Sequence, residues 1–406
     1  MILKPTKIFL VIVFFVSGLH FSFAQSDDKV MIVIIDGARY TETFGDMSKT
    51  YIPKMWDLAE DGTIIDNFEN DKYTYTSRAI PALWCGAWTD VQSVNYQGSN
   101  TSYAVLPTIF EYYRKQKNMP ADECFYILKY IPDLWLPSFD ADYGPDYWPQ
   151  FHSVGANDRD VATQAQLVID NYHPHFMLVY LADVDHAGHS GIWTEYTSAI
   201  QIADSIVDVL WKKLQSDPFY ENSTTLIVTN DHGRHDDQHG GFQGHGCSCD
   251  GCRHIQFLAV GPDIRKNFVS SQYHNIPDMA VTASYILGVE PTKATGNIIQ
   301  EIFNTTGTNE EINQNPDIIT NYPNPFNKST TIDYFLYKES YVYLSIFDIS
   351  GKEVINLVNR LQFQGQNSIV WDATDSQGKK VLPGIYFYNL QIDNQNKFGK
   401  LMLVAD

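Results

Sequence analysis

Carboxylate and imidazole side chains recur directly behind the most apolar runs of this sequence. They are Asp36 behind VMIVII, Asp185 and His189 behind FMLVYLADV, Asp231 and His232 behind TTLIVTN, and His245 in GHG. Oxygen and nitrogen donors without a thiolate are typical of catalytic sites for zinc or a similar divalent ion. A single Asp behind a strand is as readily a helix N-cap, so each cluster alone is ambiguous. Four clusters at equivalent positions favour a metal centre.

The segment KYTYTSRAIPALWCG contributes three hydroxyl groups, from Thr74, Thr76 and Ser77, just ahead of a helix predicted over 78–86. A hydroxyl at a helix N-terminus lies where backbone N–H groups and the helix dipole favour negative charge. Such a position suits a nucleophile and the phosphoryl group that it would attack. It also suits an ordinary N-cap, and the pattern alone does not separate the two.

Short apolar runs alternate with amphipathic segments along the first three quarters of the chain, which is typical of an α/β fold with helices on both faces of a parallel sheet. Strands are predicted over 30–35, 124–129, 175–181, 224–229 and 255–260, and helices over 52–60, 106–115, 159–171, 196–214 and 277–287. Ligands of open α/β sheets bind at the carboxyl ends of the strands. The polar clusters are therefore predicted to converge at that edge.

In order and spacing, these motifs resemble those of the alkaline phosphatase superfamily, in particular its phosphodiesterase-like hydrolases. The resemblance covers residues 30–287 through VIIDGARY, TYTSRAIPALWCG, DVDHAGH, TNDHGRH and GHG leading to IQFLAVGPDI. It implies an alkaline-phosphatase-like sheet and two divalent ions, expected to be zinc. Carried onto this chain, the first ion is held by Asp36, Thr76, Asp231 and His232, and the second by Asp185, His189 and His245.

The resemblance also ranks the alternatives. Thr76 is preferred as nucleophile because the family's nucleophile lies ten residues before the Gly that closes its helix, here Gly86. Asp185 is preferred because it has the Asp-x-x-x-His spacing to His189, and His245 because GHG precedes the next family strand. The rivals are Thr74 and Ser77 for the nucleophile, and Asp183, His186 and His239 for the second ion.

The implied reaction is hydrolysis of a phosphate ester through a phosphothreonine intermediate. Two cations about 3.5–4 Å apart clamp the attacking and leaving oxygens of an in-line displacement and help the hydroxyl to ionise. The cations also allow an acidic domain to accept an anionic substrate. Arg39 and Arg78 flank the motifs and are predicted either to bind substrate oxygens or to be solvated.

Related activities fit the sequence less well. Sulfatases of the superfamily use a Cys or Ser that matures to formylglycine in a C-x-P-S-R type motif, whereas Thr76 is followed directly by Ser77 and Arg78. The mutase branch is typically cytosolic, whereas this chain carries a predicted signal peptide. The competing interpretations are a sulfatase-like hydrolase and a catalytically inactive surface-binding protein that keeps the superfamily fold.

Residues 1–24 are predicted to be a signal peptide, because Lys4 and Lys7 precede an apolar run that ends in Ser-Phe-Ala. No later stretch is long and apolar enough to be predicted as a membrane span. Without these residues, 26 basic and 48 acidic side chains leave a net charge of −22. Residues 321–406 carry 8 of each, so the excess lies in 25–320, and such an acidic surface argues against a nucleic-acid partner.

The chain of 406 residues exceeds the usual size of one domain. Residues 25–303 are predicted to form the catalytic domain and the polar, aperiodic residues 304–320 a linker. Beyond the linker, strands over 330–336, 342–347, 368–371, 385–391 and 399–404 predict a small immunoglobulin-like β-sandwich in residues 321–406.

This tail resembles the C-terminal sorting domain of the type IX secretion system, on the segments NYPNPFNKSTTIDYFL, VYLSIFDISGKEV, WDATDSQGKKVLPGIYFYNL and GKLMLVAD. The resemblance implies that the type IX machinery exports the protein from the periplasm to the cell surface or the medium. An accessory binding module shares the same fold and is the alternative.

The five cysteines are an odd number for a chain sent to an oxidising compartment. A dense cluster, CSCDGCRH, contains Cys247, Cys249, Cys252 and His254. It suits either a structural zinc site or a local disulfide. A second disulfide is expected between Cys85 and Cys124.

Overall fold

The computed structural model of the chain describes residues 28–129, 136–304, 319–336, 340–363, 365–392 and 395–405. The predicted signal peptide lies outside these residues, and so does most of the predicted linker. No helix in the described part of the chain combines the length and the apolar character that crossing a membrane would need.

The larger part of the chain, residues 28–304, has a mixed α/β fold with a large central sheet. Its strands are β1 Lys29–Ile35, β2 Gly62–Ile65, β3 Phe68–Glu69, β4 Val91–Tyr96, β5 Ser99–Ala104, β6 Cys124–Leu128, β7 Gln150–Ser153, β8 Phe176–Leu181, β9 Thr224–Thr229, β10 His254–Ile255, β11 Phe257–Val260, β12 Phe268–Ser270 and β13 His274–Asn275. Eight of them form the central sheet in the order β12-β2-β11-β9-β1-β8-β6-β7. Strands β9, β1 and β8, which are buried at every position, lie in its middle.

Helices pack on both faces of this sheet, as predicted. They are α1 Pro53–Ala59, α2 Thr76–Cys85, α3 Ile109–Lys117, α4 Asp158–Tyr172, α5 Asp183–His189, α6 Trp193–Gln215, α7 Asp250–Arg253 and α8 Ile276–Ile286. Alternate residues of β1 point into two separate apolar cores. The first core includes α2, α3 and α8, and the second includes α1, α4 and α6. Burial on both faces explains why residues 30–35 of β1 are an unbroken apolar run.

The sheet is not wholly parallel, and here the sequence-based prediction was wrong. Strand β11 pairs antiparallel with both β9 and β2, while β1, β8, β6 and β7 run parallel. A parallel crossover needs a helix long enough to traverse the sheet. The connection between β9 and β11 contains only the four-residue helix α7 among its named helices. The chain therefore stays at the carboxyl edge of β9 and re-enters the sheet from there, in the opposite direction.

Residues 319–405 form two antiparallel sheets around their own apolar core, which includes Trp371, Leu344 and Leu390. Strands β14 Ile319–Tyr322, β15 Thr330–Leu336 and β18 Gly365–Trp371 form one sheet; β16 Ser340–Asp348, β17 Glu353–Gln362, β19 Gly384–Ile392 and β20 Gln395–Leu403 form the other. The structure adds β14 and β17 to the five predicted strands. Strand β14 begins within the segment predicted as linker.

Candidate active site

The three central strands end side by side. In the parallel register, Ile35 of β1 pairs with Leu181 of β8, and Ile34 pairs with Thr229 of β9. The backbone N–H of Asp36 still bonds Leu181 at 2.9 Å, so the ladder holds Asp36 in place. The residues that follow these strands consequently meet at one edge, where the sequence predicted that polar clusters would converge.

The first cluster contains Asp36, Asp231, His232 and the hydroxyl of Thr76. The Nε2 atom of His232 lies 3.1 Å from Thr76 Oγ1, 3.3 Å from Asp36 Oδ1 and 3.5 Å from Asp231 Oδ2. Its Nδ1 atom lies 2.9 Å from the Gly233 carbonyl oxygen, which only accepts hydrogen bonds. Nδ1 therefore carries the proton, and the lone pair of Nε2 faces the cluster.

Asp231 has an environment that demands a partner. Its side chain is fully buried, and neither carboxylate oxygen has a hydrogen-bond partner. Burial raises the pKa of Asp231 to about 7 and raises that of Asp36 well above its ordinary value, the latter with help from the charge of Asp231. A buried carboxylate without a hydrogen bond costs several kcal/mol. A cation between Asp231, Asp36 and His232 removes that cost.

The second cluster contains Asp185, His189 and His245. His189 Nε2 lies 3.2 Å from Asp185 Oδ2 and 3.1 Å from His245 Nε2, which itself lies 3.5 Å from Asp185 Oδ1. His245 Nδ1 bonds the Thr74 carbonyl oxygen at 3.0 Å, so its Nε2 lone pair also faces inward. The rings of His232 and His245 stack at 4.1 Å and join the two clusters.

Charge in this second cluster is arranged for a cation. Burial lowers the pKa of His245 to about 3, so this imidazole is neutral and able to bind a metal ion. Burial also opposes ionisation of Asp185, but the neighbouring His232 and Arg234 outweigh it and hold the pKa of that carboxyl below its ordinary value. An ionised Asp185 carboxylate beside the neutral imidazole of His245 matches the donor preference of zinc. The residues present thus fit a divalent ion in each cluster.

Thr76 is the first residue of α2, not a residue ahead of it, because Tyr75 occupies the extended N-cap position. Its hydroxyl lies 3.4 Å from both carboxylate oxygens of Asp36. The helix N-terminus places backbone N–H groups and the positive end of the dipole at the site. The Thr74 hydroxyl, by contrast, donates to the Cys247 carbonyl at 2.7 Å.

The three rivals for the second ion lie outside the two clusters. Asp183 accepts hydrogen bonds from Lys129 and the Asp158 backbone, and His186 contacts the same Lys129. His239 is more than half exposed and bonds Asp236 at 2.6 Å. The geometry thus favours Asp185 and His245 over these alternatives.

Arg39 is engaged within the protein. Its Nε and Nη2 bond the two carboxylate oxygens of Glu42 at 2.6 and 2.9 Å, and Nη1 bonds the His235 carbonyl and Asp237. Four of about five guanidinium donors are thereby used, which disfavours a role in substrate binding. Arg39 instead ties the end of β1 to the loop that follows β9.

Arg78 lies in the first turn of α2. Its guanidinium stacks on Tyr73 at 4.5 Å, bonds the Thr89 carbonyl at 3.2 Å and reaches exposed Asp90 at 3.7 Å. The side chain is only half-buried, so it is less committed than that of Arg39.

Sequence reasoning missed Arg234, which lies two residues after His232 in TNDHGRH. The side chain is fully buried, and Nη1 donates to Asp185 while Nη2 bonds the Gln243 carbonyl at 2.9 Å. A Cβ atom at Gly188 would lie 2.4 Å from the guanidinium carbon, so this glycine makes room for the arginine. Because Arg234 holds the carboxylate of a predicted ligand, it is a positioning residue. Its place in TNDHGRH was its only signal in the sequence.

Tyr180 and Asn230 were also missed. The Tyr180 hydroxyl donates to Asp36 Oδ2, and Asn230 donates to the carbonyl oxygens of Ala38 and His232 at 2.8 Å each. Both side chains are buried and fix the loops at the ends of β1 and β9. Tyr180 lies within the apolar run of β8 and reads in the sequence as an ordinary core position, whereas Asn230 directly follows β9 and only its place in TNDHGRH marks it.

Comparison with protein-family models gives two matches. The model for type I phosphodiesterase/nucleotide pyrophosphatase matches residues 77–240, and the model for the secretion system C-terminal sorting domain matches residues 320–404. The first match includes Asp185, His189, Asp231 and His232; Asp36, Thr76 and His245 lie outside it. The resemblance to the alkaline phosphatase superfamily is confirmed. A comparison with curated protein sequences gives no match.

Solved structures of this superfamily share the fold. Murine ectonucleotide pyrophosphatase/phosphodiesterase 5 matches with 16% identity and a TM-score of 0.50, covering 68% of this chain and 100% of that chain. A second structure of that protein, an inactive threonine-to-alanine variant in complex with AMP, matches with 15% identity, a TM-score of 0.50 and the same coverage. A putative sulfatase from Bacteroides fragilis matches with 13% identity and a TM-score of 0.52, covering 87% of this chain and 91% of that chain. At these identities, the likeness is one of fold alone.

Proposed function

We propose that this chain is an exported two-metal hydrolase of phosphate esters, a phosphodiesterase or phosphatase with Thr76 as nucleophile. The family matches support a hydrolase of the alkaline phosphatase superfamily. The observation that carries the finer proposal is the buried, unpartnered carboxylate of Asp231, beside His232 and the Thr76 hydroxyl. That arrangement has a chemical use only if a cation completes it.

The proposed ligands divide as the two clusters do. Asp36, Thr76, Asp231 and His232 would hold one divalent ion, and Asp185, His189 and His245 the other. Zinc is the ion that such a mixed carboxylate and imidazole set suits best. When bound, the ions supply positive charge that stabilises the alkoxide of Thr76 and the anionic phosphoryl group.

The reaction requires little else from the chain. The Thr76 hydroxyl gives up its proton and Oγ1 attacks phosphorus; the bond to the leaving group breaks, the departing oxygen takes up a proton to give the alcohol, and a phosphothreonine forms. Water then attacks the same phosphorus, the Thr76 oxygen departs, and the hydroxyl regains its proton. The N-terminus of α2 favours the phosphoryl group in both steps. Asp36 is held by Tyr180 and Asp185 by Arg234, which keeps the ligand oxygens aimed inward.

Phosphate is preferred to sulfate because of the nucleophile. A sulfatase of this superfamily needs a Cys or Ser that matures to formylglycine, and Thr76 is neither. The murine neighbour described as inactive carries a threonine-to-alanine substitution, which agrees with a threonine nucleophile on this fold. The complex of that neighbour with AMP suggests nucleotide-like esters as the first diesters to test.

The place of action is proposed from the two ends of the chain. The predicted signal peptide would deliver the protein to the periplasm, and the tail, which matches a secretion system sorting domain, would direct it onward through the type IX machinery. The enzyme would then act at the cell surface or in the medium on a small phosphate ester.

The test is a substrate panel on the purified chain from residue 25 onward, supplied with zinc. Aryl phosphate monoester, diester and sulfate ester share one chromophore and differ only in the group transferred. We expect turnover of a phosphate ester and sulfate hydrolysis at least about 100-fold slower. Equal rates on sulfate would favour the sulfatase-like interpretation. No turnover by protein shown to contain two ions would favour the inactive binding protein.

A further inference from the structure

A second group of metal-binding side chains lies outside the candidate active site. Cys247, Cys249 and Cys252 come from the CSCDGC segment that leads into α7, and His235 comes from the loop after β9. One donor atom from each of the four residues lies within 4.8 Å of every other. Cys249 and Cys252 are buried, and all three cysteines carry free thiols.

The spacing of these atoms can be compared with two kinds of cross-link. His235 Nδ1 lies 3.0 Å from Cys247 Sγ, 3.2 Å from Cys252 Sγ and 4.0 Å from Cys249 Sγ, and the Cys247 and Cys252 sulfurs are 3.7 Å apart. A tetrahedral zinc ion with ordinary bond lengths places its donors about 3.5–3.8 Å apart. A disulfide needs sulfurs about 2.05 Å apart. The observed separations bracket the zinc geometry.

The fourth donor differs from the one that the sequence offered. His254 follows CSCDGCR directly, but its Nε2 bonds the Asp66 carbonyl at 2.6 Å and its ring stacks on Tyr40 at 3.7 Å. His235 instead reaches the sulfurs because its backbone N–H bonds the Gly244 carbonyl at 2.8 Å, which folds the loop back on itself. The ring leaves no space for a side chain at Gly244, whose Cβ would lie 2.7 Å from His235 Cδ2.

We propose that Cys247, Cys249, Cys252 and His235 bind a structural zinc ion, separate from the two ions of the candidate active site. Three thiolates and one imidazole form a closed set of four ligands, which is typical of structural zinc. The backbone N–H of Cys249 already points at Cys247 Sγ at 3.2 Å, a hydrogen bond that supports a thiolate.

The ion would cross-link the loop after β9, which carries proposed ligands of the other two ions. His232 lies three residues before His235, and His245 lies two residues before Cys247, so both ends of the sulfur site adjoin proposed ligands of the other two ions. Thr74 joins this loop to the segment that carries the proposed nucleophile. Its hydroxyl bonds the Cys247 carbonyl, and its own carbonyl accepts from His245. Thr74 lies two residues before the proposed nucleophile.

The site also accounts for the cysteine count. Cys85 and Cys124 are buried free thiols, and Cys85 Sγ donates to the Leu106 carbonyl at 3.2 Å, so the disulfide expected between them is not formed. A bound ion holds the other three sulfurs as thiolates, and none is left over. Loss of the ion in an oxidising compartment would expose them to disulfide formation with an external oxidant.

The test uses the full exported chain loaded with cobalt(II) in place of zinc. Only a thiolate-bound ion gives the near-ultraviolet charge-transfer absorption of cobalt, so the readout is independent of activity and of the two oxygen and nitrogen sites. We expect this absorption and a total of three ions per chain. We further expect that His235→Ala and Cys252→Ser each remove the absorption and one ion, while Asp231→Asn leaves the absorption intact.

His254→Ala is the matched control, because this is the histidine next to the cluster in sequence that does not reach it. It should keep the absorption and all three ions. Loss of the ion in His254→Ala but not in His235→Ala would overturn the assignment of the fourth ligand.

If a variant does not fold, the wild-type protein alone can distinguish a zinc site from a disulfide. Intact-mass measurement of the exported protein should show five thiols after denaturation in chelator. A mass lower by two hydrogens, with a disulfide mapped among Cys247, Cys249 and Cys252, would overturn the proposal. So would wild-type protein that holds its two other ions and shows no thiolate-to-cobalt absorption.

Discussion

Residues 28–304 and residues 319–405 differ in what they bury. Among its described side chains, the tail buries only four polar residues, Thr330, Ser340, Ser345 and Gln362, and no Asp, Glu, Lys, Arg or His. Residues 28–304, called the body below, bury many charged groups and also carry most of the acidic excess of the chain. Buried charge is costly, so its location marks where the chain does chemistry or fixes a loop.

The buried carboxylates of the body separate further by their partners. Asp204 accepts hydrogen bonds from the backbone N–H groups of Met55 and Lys54 at 2.7 and 3.0 Å and so caps α1. Asp158 accepts from the N–H groups of Ala182 and Asp183 at the start of α5. Asp231 has no such partner. From this contrast, we expect that a buried acid left without a hydrogen-bond partner serves a function, whereas Asp204 and Asp158 serve the fold.

The largest expected effect concerns the nucleophile. Thr76→Ala removes the only atom proposed to bond phosphorus, so kcat/KM on a phosphate ester should fall by at least about 10³-fold. The fold should be unchanged, since the side chain is only half-buried. Ser77→Ala, the neighbouring hydroxyl, is the control and should retain most activity. The reverse result would move the nucleophile to Ser77.

Asp231→Asn should separate function from stability. We expect the loss of one ion and a fall in kcat of about 100-fold or more. In chelator, however, the variant should be more stable than the wild type, because it replaces an unpartnered buried carboxylate with a neutral amide. Thermal unfolding with and without chelator shows whether the difference in stability between the variant and the wild type changes sign.

Asp204→Asn is the matched substitution at a carboxylate that has partners. It should lower the unfolding temperature under both conditions and leave the ion count unchanged. If Asp231→Asn behaves in the same way, the contrast between the two carboxylates is wrong.

A smaller effect concerns the pH dependence of the body. His274 bonds Asp278 at 2.8 Å and Glu301 at 2.9 Å; burial opposes its charge, but these bonds outweigh burial and raise the pKa of His274 to about 9. The stabilisation is fully present below the ordinary pKa of 6.5 and is lost as the pH rises through about 9. It amounts to about 3 kcal/mol at most.

His274→Gln should flatten the decline in unfolding free energy of the body between those pH values, measured by urea denaturation. The tail, which buries no such group among its described side chains, should show no comparable decline. An unchanged slope in the variant would show that His274 does not cause the decline.

The smallest effect on activity should follow deletion of residues 321–406. The tail has its own core and none of the proposed ligands, so kcat/KM should stay within about twofold. The truncated protein should instead accumulate in the periplasm of its native host, measured by fractionation. A folded truncated enzyme with activity lower by about tenfold would show that the tail shapes the site.

Most of the fold could be predicted because its strands are buried on both faces. The predicted bounds of β1, β6, β8 and β9 agree with the structure to within one residue. Strand β17 was missed because its alternation is broken: Val358 pairs with Leu344 and Asn356 with Ser345, so Leu357 is an extra residue at a bulge. The direction of β11 was missed because a strand sequence does not record which way it runs.

The predicted ligand clusters could be placed because strand ends and short motifs fix them. What sequence could not provide was the choice of partners across loops. The sequence offered His254, which follows the CSCDGC segment, and only the turn back to Gly244 brings His235 to the sulfurs instead. Arg39 was expected either to bind substrate oxygens or to be solvated, but its buried guanidinium bonds Glu42 and the His235 carbonyl instead.

Acid-quenched turnover tests the central claim most directly. The zinc-loaded enzyme is mixed with an aryl phosphate ester, stopped in acid at a series of times within and beyond one turnover, digested and sequenced by mass spectrometry. The account predicts phosphate on Thr76, appearing before product reaches its steady rate and absent in Thr76→Ala. Phosphate on Thr74 or Ser77, or unmodified peptide 74–78 at every time point while ester is being hydrolysed, would contradict it.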